Sequence, residues 1–376
     1  MKNVFTLAIL LCLLSCKPAV EQTDASARID LKNITTPSFY DYFSQMEVIP
    51  LETNDSSLIN DMTKIIHRNN HFYILDRETK RIVVFDDNGK FLEEINKLGI
   101  GPGEYSEIAD FGFNDFTGEL ELLVPMGGIL RYDSTGKEFK GKFLFPDGIP
   151  AVHYFMPMEK DVYLLFSESR DGKKMLVYNV QRNEILTEMY DIPRFILFNT
   201  IYHHSYSPFY VLNNQIHFVQ GYNGDVYTIG KESMDLKYHW DFGKQNFSIE
   251  GLPERNMEYY LKYMRTTGAK YANAFTAYGE NSHYFMTYFL YNQKTYTLIY
   301  DKQQKEAKIF NQFQEGNRVS LFFLDEKAFY GYIDPSWSIT PNIIEQMDEK
   351  FKEKFADMKT EDNPYIIKYI FKQQRP

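Results

Sequence analysis

The chain has 376 residues, of which 44% are hydrophobic and 16% aromatic, and this composition excludes an intrinsically disordered protein. Its 41 Lys and Arg residues against 51 Asp and Glu residues give a formal net charge of −10. That charge argues against a nucleic-acid partner, because phosphate backbones are bound through basic surfaces. The length allows either two domains or one large repetitive domain.

The first predicted segment is a signal peptide over residues 1–15. Lys2 precedes an apolar run over residues 4–14, which is too short to span a bilayer because a spanning helix needs about 20 apolar residues. The run ends at Leu13-Leu14-Ser15-Cys16, which resembles the bacterial lipobox, whose cysteine becomes the acylated first residue after cleavage. The sequence therefore predicts lipid attachment at Cys16. A signal peptide without lipidation is the alternative, but no Ala-x-Ala-like cleavage site lies nearby.

Residues 16–40 are predicted to form a lipidated, flexible spacer, because the stretch from Lys17 to about Thr36 is polar and lacks periodicity. The only other cysteine, Cys12, lies in the signal peptide, so the mature domain has no disulfide, no cysteine-based zinc site and no cysteine nucleophile. No acidic cluster directly follows Cys16. Whether the domain faces the periplasm or the outside therefore stays open.

Residues 41–376 are predicted to form one all-β domain of repeated strands and turns. Short apolar runs at 71–76, 81–86 and 91–95 are separated by polar and Gly-containing turns and form a three-stranded meander. An aromatic residue ends the second strand of each such unit, at Phe85, Tyr132, Tyr178, Tyr227 and Tyr300. The first three intervals are 47, 46 and 49 residues, a period typical of the four-stranded blades of a β-propeller.

The fourth interval, of 73 residues, is longer than one blade and contains residues 253–264, which have helical spacing, so we predict a helical insertion there. A C-terminal helix is predicted from Thr340 to about Lys359, with Thr340 as N-cap and Pro341 at the first helical position. Its apolar stripe favours packing against the propeller, and a partner-binding helix is the alternative.

The sixth blade combines strands from both ends of the chain. Residues 319–324 and 328–333 supply two strands, and 365–371 and 47–51 supply the others. Pairing the two chain ends would close the ring and cover its edge strands.

Several segments resemble the six-bladed β-propeller lipoproteins of Bacteroidetes, a family distantly similar to NHL-repeat propellers. They are Val48-Ile49-Pro50-Leu51-Glu52-Thr53, Phe85-Asp86-Asp87-Asn88-Gly89-Lys90-Phe91, Gly99-Ile100-Gly101-Pro102-Gly103-Glu104-Tyr105 and Glu361-Asp362-Asn363-Pro364. The resemblance covers nearly all of the mature chain and is most specific in the first two blades and at the end. It implies a six-bladed β-propeller and an outer-membrane location in the cell envelope. It carries over no catalytic residues.

Two patterns superficially indicate a phosphate or metal site. The glycine-rich residues 99–103 lack a following Lys-Ser/Thr pair and a following helix, so a turn between blades is favoured over a phosphate loop. His67 and His71 have the spacing of a helical metal pair, but they flank a predicted strand turn. We expect neither a metal nor a cofactor.

The candidate ligand-binding residues lie in loops, where propellers commonly carry function. They are His203, His204 and Tyr206, in an aromatic loop, and Arg265, a candidate anion contact just after the insertion helix. Packing or simple exposure is the alternative for each. Ser134, in Asp133-Ser134-Thr135, resembles the short O-glycosylation motif of Bacteroidetes envelope proteins, and a plain hairpin turn is the alternative.

The expected function is a non-enzymatic, lipid-anchored propeller that binds a small molecule, a glycan or an envelope protein. No Gly-x-Ser-x-Gly or His-Glu-x-x-His motif occurs, and no catalytic residue is assigned. The alternative is an envelope hydrolase or lyase acting on a glycan or peptide, because catalytic residues from separate blades leave no contiguous motif. A third hypothesis is a structural partner of an outer-membrane complex.

Overall fold

A computed structural model describes residues 26–167, 173–191, 207–253, 255–318, 321–336 and 344–372. Its strands form six sheets, which are the blades of a six-bladed β-propeller. Blade 1 contains β3 (Met62–Arg68), β4 (His71–Asp76), β5 (Arg81–Asp86) and β6 (Phe91–Ile95), and blade 2 contains β7 (Asp110–Asn114), β8 (Glu119–Val124), β9 (Gly128–Tyr132) and β10 (Phe139–Phe143). The predicted fold class is confirmed.

The remaining blades follow in chain order. Blade 3 contains β11 (Val152–Glu159), β12 (Val162–Ser167), β13 (Lys173–Asn179) and β14 (Glu184–Asp191). Blade 4 contains β15 (Phe209–Leu212), β16 (Gln215–Val219), β17 (Val226–Ile229), β18 (Met234–Asp241) and, outermost, β1 (Ser26–Arg28). Blade 5 contains β19 (Asn273–Glu280), β20 (Tyr284–Tyr291), β21 (Lys294–Asp301) and β22 (Glu306–Phe310), and blade 6 contains β23 (Phe323–Leu324), β24 (Ala328–Ile333), β25 (Tyr365–Phe371) and β2 (Phe43–Pro50).

Strands from the two chain ends close the ring, as the sequence predicts. β2 lies on the outer edge of blade 6 and pairs antiparallel with β25, so that Met46 lies opposite Tyr369 and Val48 opposite Ile367. This pairing covers the edge of β25 and makes opening of the ring costly, because the backbone groups of both strands would lose their partners.

The hydrophobic core lies between consecutive blades. Ile74 of blade 1, for example, belongs to the same buried cluster as Ile366 of blade 6, and Leu123 of blade 2 to the same cluster as Tyr163 of blade 3. The repeated aromatic residues all stand on the third strand of a blade rather than the second, and Tyr227 is near the start of its strand. The numbering differs because the three-stranded meander predicted from the sequence begins at the second strand of a blade. Each blade has one more strand before that meander.

The helices are short and lie in the connections between strands. Those whose bounds lie within the described residues are α1 (Phe39–Tyr42), α2 (Met257–Arg265) and α3 (Glu349–Lys352), with 3-10 turns at Gly243–Gln245, Gly268–Lys270 and Glu353–Phe355. Helix α2 confirms the predicted insertion and begins after Asn256, whose side chain accepts a hydrogen bond from the Tyr259 N–H. Among the described residues, no helix combines the length and apolar character needed to cross a membrane.

The C-terminal helical segment is interrupted and does not form the single continuous helix predicted from Thr340 to Lys359. Ile344 and Glu345 are helical, but Asp348 has an extended backbone with ψ of 151°, so a separate helix, α3, begins at Glu349; residues 340–343 lie outside the described residues. Phe351 and Phe355 are buried in the cluster between blades 5 and 6. The buried residues of the apolar stripe therefore pack against the propeller, which is the arrangement that the sequence favoured over a partner-binding helix.

The sequence predicts a flexible spacer over residues 16–40. In the structure, packed residues already begin within this range, at β1. β1 pairs with β18 in parallel, and Ile29 and Leu31 are buried in the cluster between blades 4 and 5. Further along, the Thr35 N–H donates to the Ile309 carbonyl at 3.0 Å. The burial of these two aliphatic side chains holds the segment against the propeller. The sequence did not predict this, because a polar stretch with few apolar residues has no hydrophobic periodicity.

Candidate functional site

A cleft of about 310 Å³ opens where the loops of blades 1, 2 and 3 meet, on the face where each fourth strand leads to the next blade. Its walls are mostly apolar, with a few polar groups. The lining residues are Arg77, Glu107, Ile108, Ala109, Pro125, Met126, Ala151, His153, Tyr154 and Phe166. A concave, largely apolar site with a small number of polar groups is the usual form of a ligand pocket.

Arg77 is positioned by the turn that ends β4. The preceding residue, Asp76, is fully buried, and its carboxylate accepts hydrogen bonds from the Asn60 and Asp61 N–H groups at 3.1 Å. The Arg77 N–H in turn donates to the Asp61 carbonyl at 3.1 Å. These bonds fix the start of the Arg77 side chain, because the backbone on both sides of the turn is held.

Tyr154, on β11, forms the aromatic wall together with Phe166, whose ring centroid lies 6.3 Å from its own. Burial raises the pKa of Tyr154, and a hydrogen bond with the Arg77 side chain partly offsets this rise. Tyr154 therefore stays protonated at neutral pH. The Arg77 guanidinium and the Tyr154 hydroxyl bring a cation and a phenol together at the apolar wall.

An ion pair between partly exposed Lys64 and buried Asp110 links the three blades that form the cleft. Lys64, on β3, donates to Asp110 on β7 at 2.6 Å and to the Phe111 carbonyl at 2.7 Å. The other Asp110 oxygen accepts the N–H of Phe155 on β11 at 3.2 Å. Burial raises the pKa of Asp110, although Lys64 acts in the opposite direction. The cleft is thus supported by contacts among all three of its blades.

A second cavity, of about 180 Å³, lies between first strands of several blades. Glu280, at its edge, is fully buried and accepts hydrogen bonds from Lys237 at 2.7 Å, Lys302 at 2.6 Å, Tyr210 at 2.5 Å and Tyr238 at 2.8 Å. Burial alone would raise the pKa of Glu280, but the ammonium of Lys237 and the hydrogen bonds lower it below its usual value. Its contacts with Lys237, Tyr210 and Tyr238 join blade 5 to blade 4, so Glu280 holds the two blades together at the edge of this cavity.

Of the predicted ligand-binding residues, His203, His204 and Tyr206 lie outside the described residues. Arg265 is exposed at the end of α2 and does not line either cavity described above. Cys16 also lies outside the described residues. The roles assigned to these five residues stay predictions.

The glycine-rich loop at 99–103 is a turn between blades. The Gly101 N–H donates to the Glu104 carboxylate at 2.7 Å, and the Gly99 N–H donates to the Tyr105 carbonyl at 2.9 Å. A carboxylate thus occupies the concave side of the loop, where a phosphate would have to bind. The loop cannot cradle an anion in this conformation.

The two histidines stand on adjacent strands of a hairpin. The His67 Nε2 atom lies 2.7 Å from the Asp87 carboxylate, and His71 lies across the β3–β4 turn opposite Arg68. Within the described ranges, no cluster of three or more His, Cys, Asp or Glu side chains could hold a metal ion.

Ser134 is exposed at the tip of the β9–β10 hairpin. The neighbouring Thr135 hydroxyl donates to the Asp133 carboxylate at 2.7 Å, and the other Asp133 oxygen accepts the Lys137 and Glu138 N–H groups. These bonds lower the pKa of Asp133. The turn is complete without a modification, and glycosylation of Ser134 stays a prediction.

Sequence reasoning missed Arg77, Glu107, His153 and Tyr154. His153 and Tyr154 are neighbours on β11, but Arg77 and Glu107 come from other parts of the ring, so no local motif contains all four. The available signal was weak: Arg77 directly follows a strand-ending aspartate, and loops on this face are where propellers carry function.

Comparison with known proteins gives a family and a fold. The model of a domain of unknown function, DUF4934, matches residues 26–369. The crystal structure of a protein from Bacteroides fragilis, described as exported, is 16% identical with a TM-score of 0.70, over 93% of this chain and 99% of that chain. A member of the DUF4221 family from Bacteroides vulgatus is 11% identical with a TM-score of 0.51, over 89% of this chain and 98% of that chain.

At these identities the two structures show a common fold and no more. A search of curated proteins gave no match. The family model, by contrast, spans the whole described propeller from β1 into β25. The chain therefore belongs to the DUF4934 family.

Proposed function

We propose that this chain is a lipid-anchored binding module of the cell envelope, at the outer membrane, whose ligand occupies the cleft of blades 1–3. The observation that carries the proposal is the cleft itself, a concave site of about 310 Å³ with apolar walls and few polar groups. The lipobox-like Leu13-Leu14-Ser15-Cys16 supports the anchor. The exported Bacteroides protein of similar fold supports an envelope location.

The lining suggests the chemistry of the ligand. Met126 and Phe166 offer apolar surface, and Arg77 beside Tyr154 offers donors to an acceptor or an anionic group. A small molecule, glycan or peptide side chain that joins an apolar portion to a carboxylate or a hydroxyl-rich group fits this combination. Binding without turnover is expected.

The test is a thermal-shift screen of the domain beginning at Ser26 against small carboxylates, glycans and peptides. A compound that binds only the folded state must raise the melting temperature. Arg77→Gln should abolish the shift given by the best compound. Arg68→Gln is the matched control, because Arg68 lies on the same blade but pairs with Asp115 outside the cleft.

Two results would overturn the binding proposal. If Arg77→Gln and Arg68→Gln bind the best compound equally well, the cleft is not the site. If the compound is converted to product, the alternative of an envelope hydrolase or lyase replaces the binding module.

The anchor is tested separately by acyl labelling of the full chain in a bacterial host, with Cys16→Ser as the control. Label on the wild-type protein but not on Cys16→Ser supports the anchor. Equal label on both, or none on either, contradicts it.

A further inference from the structure

We propose that the outer edge of blade 4 faces the membrane that holds the lipid, so that the ring has a preferred orientation on the membrane. The inference rests on the proposed lipid anchor at Cys16. It starts from the position of β1, which is both the first described strand and the outermost strand of blade 4.

The start of β1 is a fixed point on the propeller. Ser26, Ala27 and Arg28 lie in parallel register with residues 239–241 of β18, and the Ile29 N–H continues the ladder to the Asp241 carbonyl at 2.8 Å. Ile29 is only 5% exposed and packs in the same cluster as Trp240. A membrane anchor on the N-terminal side of Ser26 is therefore attached to the propeller at the outer edge of blade 4.

The tether between this point and the lipid is short. Only residues 17–25 separate Cys16 from Ser26. Ten residue steps span at most about 35 Å when fully extended. An unstructured linker of that length spans roughly 18 Å on average.

The propeller is wider than the average reach of its tether. A domain of this length has a radius of gyration of about 20 Å, which corresponds to a diameter of roughly 50 Å. Because a linker of this length averages less than half of that width, we expect the rim that carries Ser26 to stay close to the membrane. No basic patch is needed for this, since the covalent attachment supplies the constraint.

The orientation has a consequence for the cleft. In a ring of six blades, blade 1 lies opposite blade 4, and the cleft is built entirely from blades 1, 2 and 3. The tether is attached to the other half of the ring. The orientation therefore leaves the cleft open to ligands that approach from the side away from the membrane.

The chain offers a matched pair of labelling sites. Leu236 on β18 and Leu92 on β6 are both 43% exposed leucines on the fourth strands of opposite blades. No cysteine follows Cys16, so Leu236→Cys and Leu92→Cys each introduce a single free thiol into the lipidated full chain. Unchanged melting temperatures would show that both variants fold.

Each variant is labelled with a fluorophore and placed in liposomes that carry a headgroup quencher. We expect several-fold stronger quenching at position 236 than at position 92. Equal quenching at the two positions, or stronger quenching at position 92, overturns the orientation.

A variant with a longer spacer separates the anchor from the orientation. A Gly/Ser-rich insert of about 70 residues after position 20 extends the average reach to roughly the width of the domain. It should still float with liposomes but lose the difference between the two labels, and a difference that persists would overturn control by the tether. Failure of the unmodified chain to float would instead contradict the anchor itself.

Discussion

Two buried glutamates between blades have the same side chain and opposite electrostatic surroundings. Glu280, between blades 4 and 5, is in contact with two lysines and two tyrosine hydroxyls, which lower its pKa. Glu121, between blades 2 and 3, accepts only from Tyr163 at 2.7 Å and Asn114 at 3.0 Å through one oxygen. Its other oxygen has no hydrogen-bond partner among the described residues.

The difference shows that burial alone does not decide the charge of a carboxyl group. Burial raises the pKa of Glu121 to about 7, because the hydrogen bonds and the more distant Arg131 offset only part of the loss of hydration. At Glu280 the direct lysine contacts reverse the shift. One interface between blades thus holds an ionised carboxylate, and the other holds a carboxyl group whose pKa is raised toward neutral pH.

The largest expected effect is that of Glu280→Gln. The substitution leaves Lys237 and Lys302 close together without a carboxylate, and removing one partner of a buried ion pair costs about 3 kcal/mol. Urea unfolding at pH 7 measures the loss. Glu121→Gln is the matched control, because the same substitution at an equally buried site removes no ion pair and should cost less than about 1 kcal/mol. Similar losses for both variants would contradict the comparison.

The second effect is a dependence of stability on pH that arises from Glu121. From its usual pKa of 4.5 up to about 7, the folded state retains a proton that the unfolded state has lost, so the free energy of unfolding falls as pH rises. The fall amounts to about 2 to 3 kcal/mol. Unfolding of wild type and Glu121→Gln between pH 4.5 and 8.5 measures it as the difference between the two curves. If the free energy of unfolding changes with pH in the same way in both proteins, the raised pKa of Glu121 is contradicted.

A third effect, of opposite sign, comes from His217 beside the Glu280 cluster. Burial and then the ammonium of Lys237, 3.1 Å from Nε2, lower the pKa of His217 to about 4. Lys237 can only donate, so His217 is neutral with its proton on Nδ1, directed at Thr228.

The stability that depends on neutral His217 is present above its usual pKa of 6.5 and is lost as pH falls toward 4. We expect a loss of about 2 to 3 kcal/mol over this range in the wild type and a smaller one in His217→Gln. Unfolding curves from pH 7 to 4 provide the measurement. A variant that loses as much stability as the wild type would refute the role of His217.

The smallest effect is expected at an exposed ion pair between blades 3 and 4. Lys231 and Glu159 lie 2.5 Å apart, but their side chains are 47% and 51% exposed. Solvent screens such a pair, so Lys231→Gln should change the free energy of unfolding by less than about 0.5 kcal/mol. Chemical denaturation tests this value. A loss of stability comparable to that of Glu280→Gln would contradict the expectation that the buried ion pair contributes more than the exposed one.

Much of the fold follows from local patterns. The spacing of Phe85, Tyr132 and Tyr178 reflects the blade repeat, because one aromatic of each blade packs in the same place against a neighbouring blade. The closing strands 47–51 and 365–371 are also visible as apolar runs. Exact strand positions within a blade are not, since the periodicity does not mark which strand comes first.

The cleft could not be predicted in the same way. Arg77, Glu107 and Tyr154 are separated by 30 and 47 positions in the chain and come together only because three blades converge. The ionisation of Glu121 and Glu280 was equally hidden, because it depends on partners from the adjacent blade.

The sequence by itself determined the repeat, the closure of the ring and the insertion helix, because strand periodicity and aromatic spacing are local consequences of packing against a neighbouring blade. Only the tertiary structure decided where the first strand enters blade 4, which side chains line the cleft and which buried carboxylate is charged. These properties depend on groups distant in the chain, and both distance and desolvation are set by the arrangement of blades.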